Sequence, residues 1–177
     1  MAGSGGSAGG SPVGAGEGSG RGDHWFVAMT LGIRRAEDVE RLPAVGGWYS
    51  IRLAGTDTGG RLAVVELTLD AGALGAAPHV HHGHEEDFVV LDGEITFDTA
   101  DGGLAVGAGG SLAVPRGTPH GFRNDTALPA RCLMVFTPAG YEDYFREVSR
   151  MVAAGHEPTA DELDALRVGF QTTRWEG

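Results

Sequence analysis

The chain has 177 residues, a net charge of −11 and an isoelectric point near 4.9, which disfavours a polyanionic partner, because affinity for nucleic acid rests on neutralising phosphates with cations. All 13 basic residues are arginine, so chemistry that needs a primary amine, such as a Schiff base or the phosphate-gripping lysine of a P-loop, is excluded. Cys132 is the single cysteine, which leaves no intrachain disulfide and no cysteine-built zinc site.

The chain opens on a Gly/Ser-rich lead, with 10 of its 31 glycines between residues 1 and 22. Such a stretch buries too little to offset its ordering entropy, so residues 1–23 are predicted to be a disordered tail ahead of one domain over residues 24–177. There is neither a basic n-region nor an apolar h-region, and no apolar run approaches the roughly 20 residues of a membrane-spanning helix. A cytoplasmic protein without membrane contact is expected.

After a polar stretch from Arg34 to Arg41, six segments read as strands: Gly47–Leu53, Leu62–Leu69, Phe88–Leu91, Glu94–Phe97, Ser111–Val114 and Arg131–Thr137. Each is short, rich in β-branched or aromatic residues and mostly bounded by Gly, Pro or Asp. Val65, Leu67 and Leu69 alternate with Val64, Glu66 and Thr68, the pattern of a strand with one buried face. Asp92-Gly93 between two apolar runs is a hairpin signal. The period then changes. Tyr141, Tyr144, Phe145, Val148, Met151 and Val152 share one helical face, and a second helix is marked by a Thr159–Glu162 capping box with Leu163, Leu166 and Phe170 behind it. Both helices, within residues 139–170, are expected outside the sheet, their stripes serving core packing without a cofactor. The fold class is all-β with two C-terminal helices.

Five of the seven histidines fall between residues 79 and 120. On a strand, His79 and His81 project to the same side and form a chelating pair. Glu86 returns a carboxylate after the bend at His82-Gly83-His84, and His120 adds a fourth group after Pro115-Arg116-Gly117-Thr118-Pro119. Three imidazoles and a carboxylate suit one divalent transition metal, iron, nickel, manganese, copper or zinc, and suit calcium or magnesium poorly. His82 alternates to the other face and His84 lies in the bend, so both are assigned to surface or supporting positions. His24 and His156 are expected in solvent and Asn124 in a structural hydrogen-bonding role.

These residues carry a family resemblance. Gly75 to Gly93, read G-x3-H-x-H-x4-E-x6-G, resembles the first cupin motif through His79, His81, Glu86 and Gly93, with Ala73 where the usual first glycine stands. Gly109 to Asn124 matches the second, G-x5-P-x-G-x2-H-x3-N, at Gly109, Pro115, Gly117, His120 and Asn124. The resemblance implies a double-stranded β-helix (jelly-roll) barrel over about residues 47–138 with the metal inside it. The H-x-H-H reading and the aromatic helical segment after the barrel are similar to bacterial quercetin dioxygenase-like cupins.

By strand parity from Glu86 and His120, Phe88, Val90 and Phe122 are expected to point inward beside the metal as the substrate pocket. No basic residue lies between Arg61 and Arg116, so a phosphorylated substrate lacks an obvious partner there. The resemblance implies a metal-dependent dioxygenase acting on a small apolar enolic or aromatic substrate with dioxygen, Glu86 being metal ligand and catalytic base, and a homodimer. The alternatives are a non-oxidative metal-dependent cyclase or isomerase and a non-catalytic small-molecule-binding cupin, since one barrel hosts many chemistries.

Overall fold

The computed structural model of the chain describes residues 31–176; the predicted tail over residues 1–23 and His24 lie outside them. A turn of 3-10 helix at Ala36–Asp38 leads into β1 (Glu40–Ala44), β2 (Gly47–Leu53), the single-turn α1 (Gly55–Thr58) and β3 (Ala63–Leu69). There follow β4 (Leu74–His81), β5 (Glu85–Asp92), β6 (Glu94–Thr99), β7 (Gly102–Gly107), β8 (Ser111–Val114), β9 (His120–Arg123) and β10 (Ala130–Thr137). The chain closes with α2 (Glu142–Ala153), α3 (Ala160–Val168) and β11 (Thr172–Arg174). Two antiparallel sheets result, in the orders β1-β2-β3-β10-β5-β8 and β11-β4-β9-β6-β7. This is the all-β jelly-roll with two C-terminal helices that the sequence implies.

Burial follows the period of each strand. In β3 the side chains of Val65, Leu67 and Leu69 are at most 2% exposed. Glu66, on the other face, is covered by Arg52 and Arg131, which pair with it at 2.6 and 3.3 Å. Between the sheets Phe88 packs on Phe97 and Phe122 with ring centroids 4.9 and 5.2 Å apart, the edge-to-face geometry that aromatic quadrupoles favour.

β4, β7 and β9 lie outside the six expected strand segments, and three further departures bear on the topology. Asp92-Gly93 does form a tight turn, with Gly93 at φ +71°, but not a hairpin: β5 pairs with β10 and β8, and β6 with β7 and β9. The turn carries the chain from one sheet to the other. A strand precedes the expected barrel start at residue 47, since β1 accommodates Pro43 on a sheet edge where its missing N–H costs nothing. Another follows the helices, where β11 pairs antiparallel with β4 and sets Thr172 opposite His81 and Arg174 opposite His79.

The helical segment is pinned at several points. The buried Glu142 carboxylate accepts from the backbone N–H groups of Gly55 (2.7 Å) and Gly140 (2.6 Å), and Arg146 reaches Glu40 on β1 at 2.8 Å. α3 starts on the expected capping box, with Thr159 N–H donating to Glu162 Oε2 at 2.8 Å and Glu162 N–H to Thr159 Oγ1 at 3.3 Å. The aromatic face of α2 lies on the barrel, Phe145 against Tyr49 at 4.4 Å between centroids. Among the described residues no helix is long and apolar enough to cross a membrane.

Asn124 closes one end of the barrel. Its Nδ2 donates to the carbonyls of Leu128 (2.7 Å), Asp70 (3.0 Å) and Leu69 (3.3 Å), while its Oδ1 accepts from Thr126 N–H at 2.9 Å and Thr126 Oγ1 at 2.8 Å. Replacing Asn124 with Ala strands several of these groups away from water. A loss of about 2–3 kcal/mol of unfolding free energy is expected, measured by urea denaturation.

Candidate metal centre

The two motifs meet because β4 and β9 are neighbours in one sheet, with His79 directly opposite His120. His81, two residues along β4, projects to the same face, and Glu86 reaches across from β5 in the other sheet. All four side chains are at most 3% exposed, and their donor atoms lie within 4.8 Å of one another.

Each imidazole is oriented from behind. His79 Nδ1–H donates to the Ala77 carbonyl at 2.8 Å and His120 Nδ1–H to the Thr118 carbonyl at 3.1 Å. A carbonyl can only accept, so the proton of each ring is on Nδ1. His81 Nδ1 lies 2.8 Å from Thr172 Oγ1, whose own hydrogen goes to the Phe170 carbonyl at 3.2 Å, and the same tautomer follows. Whenever one of these rings is neutral, its Nε2 atom therefore presents a lone pair to the barrel interior.

There His79 Nε2 is 3.1 Å from His81 Nε2, and Glu86 Oε2 is 2.7 Å from His81 Nε2 and 3.1 Å from His120 Nε2. Four electron-pair donors this close repel unless a cation or proton is shared among them. Bonds of roughly 2.0–2.2 Å place cis ligands about 3 Å apart, the spacing seen. The donor set fits a divalent transition ion held by His79, His81, His120 and Glu86.

The electrostatics agree. Burial pushes the Glu86 carboxyl up, but hydrogen bonds from His120 and His81 and their charge outweigh it and keep the group ionised far below the usual carboxylate range. For His120, burial opposes the charge and is outweighed by the bond to Glu86, so its pKa is raised. His79 is driven well below the imidazole range by burial and then by the charges of His120 and His81. Without metal, a proton held between His120 and Glu86 takes the cation's place. An ion must displace it, so acid competes with metal loading.

Of the other histidines, His82 is exposed and bonds Thr173 at 2.9 Å, and His156 is exposed against Glu162 at 3.1 Å. His84 is buried behind the centre, its ring 4.1 Å from that of His81, and burial followed by the His81 charge lowers its pKa to about 4.

His79 and Glu86 also line a cavity of about 40 Å³ whose wall includes Tyr49, Gly75, Phe122, Met134, Tyr141, Tyr144, Phe145 and Arg167. The expected pocket of Phe88, Val90 and Phe122 is corrected in part. Phe122 is on this wall, whereas Phe88 and Val90, each 1% exposed, point inward but do not line it, Phe88 packing behind Phe122 at 5.2 Å and standing 6.2 Å from the His120 ring. Strand parity gives the face but not the depth, and β5 carries them deeper into the barrel. Gly75 acts through close approach, since a Cβ there would come within 2.1 Å of the Phe122 ring. The helices do more than pack outside the sheet, because the stripe of α2 faces the cavity beside the ligands. Tyr49, Tyr141, Tyr144, Arg167 and Thr172 were all missed in the sequence. Tyr141 and Tyr144 carried a signal as part of the helical stripe, read there as core packing, and Arg167 carried one by standing four residues after Leu163 within the apolar face of α3.

The family model of the cupin domain matches residues 65–136. Solved structures of similar fold include KdgF from a Halomonas species, 18% identical with a TM-score of 0.54 over 62% of this chain and 96% of that one. An RmlC-like cupin from Shewanella frigidimarina is 22% identical, with a TM-score of 0.53 over 62% of this chain and 93% of its own. The polyketide cyclase RemF from Streptomyces resistomycificus is 24% identical, with a TM-score of 0.51 over 59% and 79%. At such identities the likeness shows the fold alone. No curated protein matches the chain. The cupin-domain match over residues 65–136 and the shared fold agree with the cupin motifs of the sequence; they do not extend to the quercetin dioxygenase-like resemblance.

Thr172→Val keeps the shape of a fully buried side chain and removes the acceptor that orients His81. A fall of about 10- to 100-fold in metal affinity is expected, read by competition with a chromophoric chelator.

Proposed function

From the premise of a cupin barrel with a three-imidazole, one-carboxylate centre, we propose that the protein is a metal-dependent dioxygenase acting on a small enolic or phenolic substrate. The observation that carries this reading is that His79 and Glu86 lie on the wall of an otherwise largely apolar, aromatic-lined cavity. A bound divalent ion supplies Lewis acidity toward a substrate oxygen and, if redox-active, an electron path to dioxygen.

The chain's own residues supply the rest. Glu86 is buried on the cavity wall beside His79 and is the carboxylate placed to take the substrate's hydroxyl proton when it is released from the ion. His79 remains neutral and so keeps its lone pair for the ion. Tyr141 and Tyr144 are kept protonated at neutral pH, first by burial, and can donate hydrogen bonds to substrate oxygens. Phe122, Phe145 and Met134 exclude water, which strengthens each of these interactions.

The cavity's size limits what fits. About 40 Å³ is far below the roughly 300–1,000 Å³ of sites for drug-sized ligands, so the structure as it stands suits a very small substrate. A larger one requires α2 and α3 to move. A second reading draws on the fold similarity to the polyketide cyclase RemF: the same donor set polarising a carbonyl for cyclisation or isomerisation without oxygen.

Protein loaded separately with iron, nickel, manganese, copper or zinc and offered a panel of small enols is expected to consume dioxygen with at least one redox-active ion and not with zinc. Turnover that continues unchanged under argon overturns the oxygenase reading in favour of the second. Glu86→Gln is expected to lower kcat by about 100-fold or more while the three imidazoles still retain part of the metal; unchanged kcat overturns the assignment of the base.

A further inference from the structure

We propose that the cavity selects a small monocarboxylate and that Arg167 is the residue that binds its carboxylate. This rests on the cavity being the substrate site and goes beyond the reaction proposed for it.

Arg167 sits in the last turn of α3, yet it is only 6% exposed and lies on the same wall as His79 and Glu86. Its Nη1 donates to Asp164 Oδ1 at 3.0 Å, and the guanidinium stands 5.9 Å over the Tyr144 ring. Its Nε is buried with no hydrogen-bond partner, a state it shares among the described side chains only with His84 Nε2. An orphaned donor on a buried cation costs roughly 1–3 kcal/mol or more, and such a group is retained where something else satisfies it.

Nor is the charge fully compensated. Asp164 is shared, because Arg174 of β11 grips its second oxygen. The acid on the cavity wall, Glu86, is committed to the imidazoles. With a divalent ion in place, the ion outweighs the Glu86 carboxylate, while Asp164 and Asp161 together face Arg167 and Arg174, so the wall keeps a surplus of positive charge inside a protein of net charge −11. A water-poor pocket with that surplus favours an anion.

Two facts make the anion a carboxylate. Asp164 occupies Nη1 alone, and the Nε edge of a guanidinium is a planar fork that matches the two oxygens of a carboxylate. The cavity, about 40 Å³, also leaves little room for a tetrahedral group on a carbon chain. The stretch between Arg61 and Arg116 offers no basic residue, and the cation on the cavity wall comes instead from the C-terminal helix α3.

Binding is tested on zinc-loaded full-length protein, so that no turnover is required and failure of the oxygenase reading leaves the result interpretable. The probes are pyruvate, its neutral isostere pyruvamide, and inorganic phosphate, each titrated by calorimetry. Pyruvate is expected to bind at least about 10-fold more tightly than pyruvamide. Arg167→Gln is expected to remove that preference, weakening pyruvate by about 10- to 100-fold and leaving pyruvamide unchanged. Zinc stoichiometry and the melting midpoint report the state of the fold. Should that variant fail to fold, Asp164→Asn, which leaves Arg167 in place, is expected to retain or strengthen pyruvate binding. Equal affinity for pyruvate and pyruvamide, no binding of either, an Arg167→Gln protein that is folded and binds pyruvate as before, or a preference for phosphate overturns the proposal.

Discussion

Three imidazole lone pairs and one carboxylate oxygen face one another across about 3 Å in the dry interior of the barrel. Without a positive charge among them the arrangement is electrostatically unfavourable, and buried groups of this kind are tolerated only when paired. Much of the surrounding structure follows from holding them there. The carbonyls of Ala77 and Thr118 and the hydroxyl of Thr172 fix the ring orientations. The neighbouring positions of β4 and β9 set two ligands opposite each other, and the facing sheet supplies the carboxylate. A jelly-roll provides what such a centre requires: two rigid sheets, each presenting every second residue to one shared interior.

The C-terminal segment is at once core and cavity wall. Tyr141, Tyr144, Phe145 and Val148 belong to the buried cluster that also contains Tyr49, Phe122 and Phe136, so the side chains that stabilise the packing of α2 also bound the space beside the metal. That double use explains the small cavity, since a face that packs well leaves little room. It also means that access and stability are coupled: movement that admits a larger molecule exposes aromatic surface to water.

The centre was legible from the sequence because its signals are local or of fixed spacing. His79 and His81 share a face by parity, Glu86 follows one bend, and His120 and Asn124 lie in a turn-rich segment with a recognisable order of residues. The strand cores were legible for the same reason. What was not legible depends on partners distant in the chain. Asp92-Gly93 specifies a turn but not which sheet receives the next strand. β7 is hidden by Gly102 and Gly103, and β11 is three residues, two of them threonine. Thr172 reaches His81 across 91 positions, a contact that no local period encodes. Phe88 and Val90 show the converse error: the periodicity gave their face, while the volume already filled by Phe97 and its neighbours decided that they lie in the core.

The pairing of β11 with β4 has a consequence for how the protein is made. His79, His81, Glu86 and His120 leave the ribosome well before Thr172, and chains fold as translation delivers them. A nascent chain that has exposed all four ligands still lacks the hydroxyl that sets the tautomer of His81, the strand that covers β4 and the helices that wall the cavity. Full-strength capture of an ion therefore waits for the segment through β11, a strand made after all four ligands, which ties the maturation of the centre to the folding of the C-terminal segment.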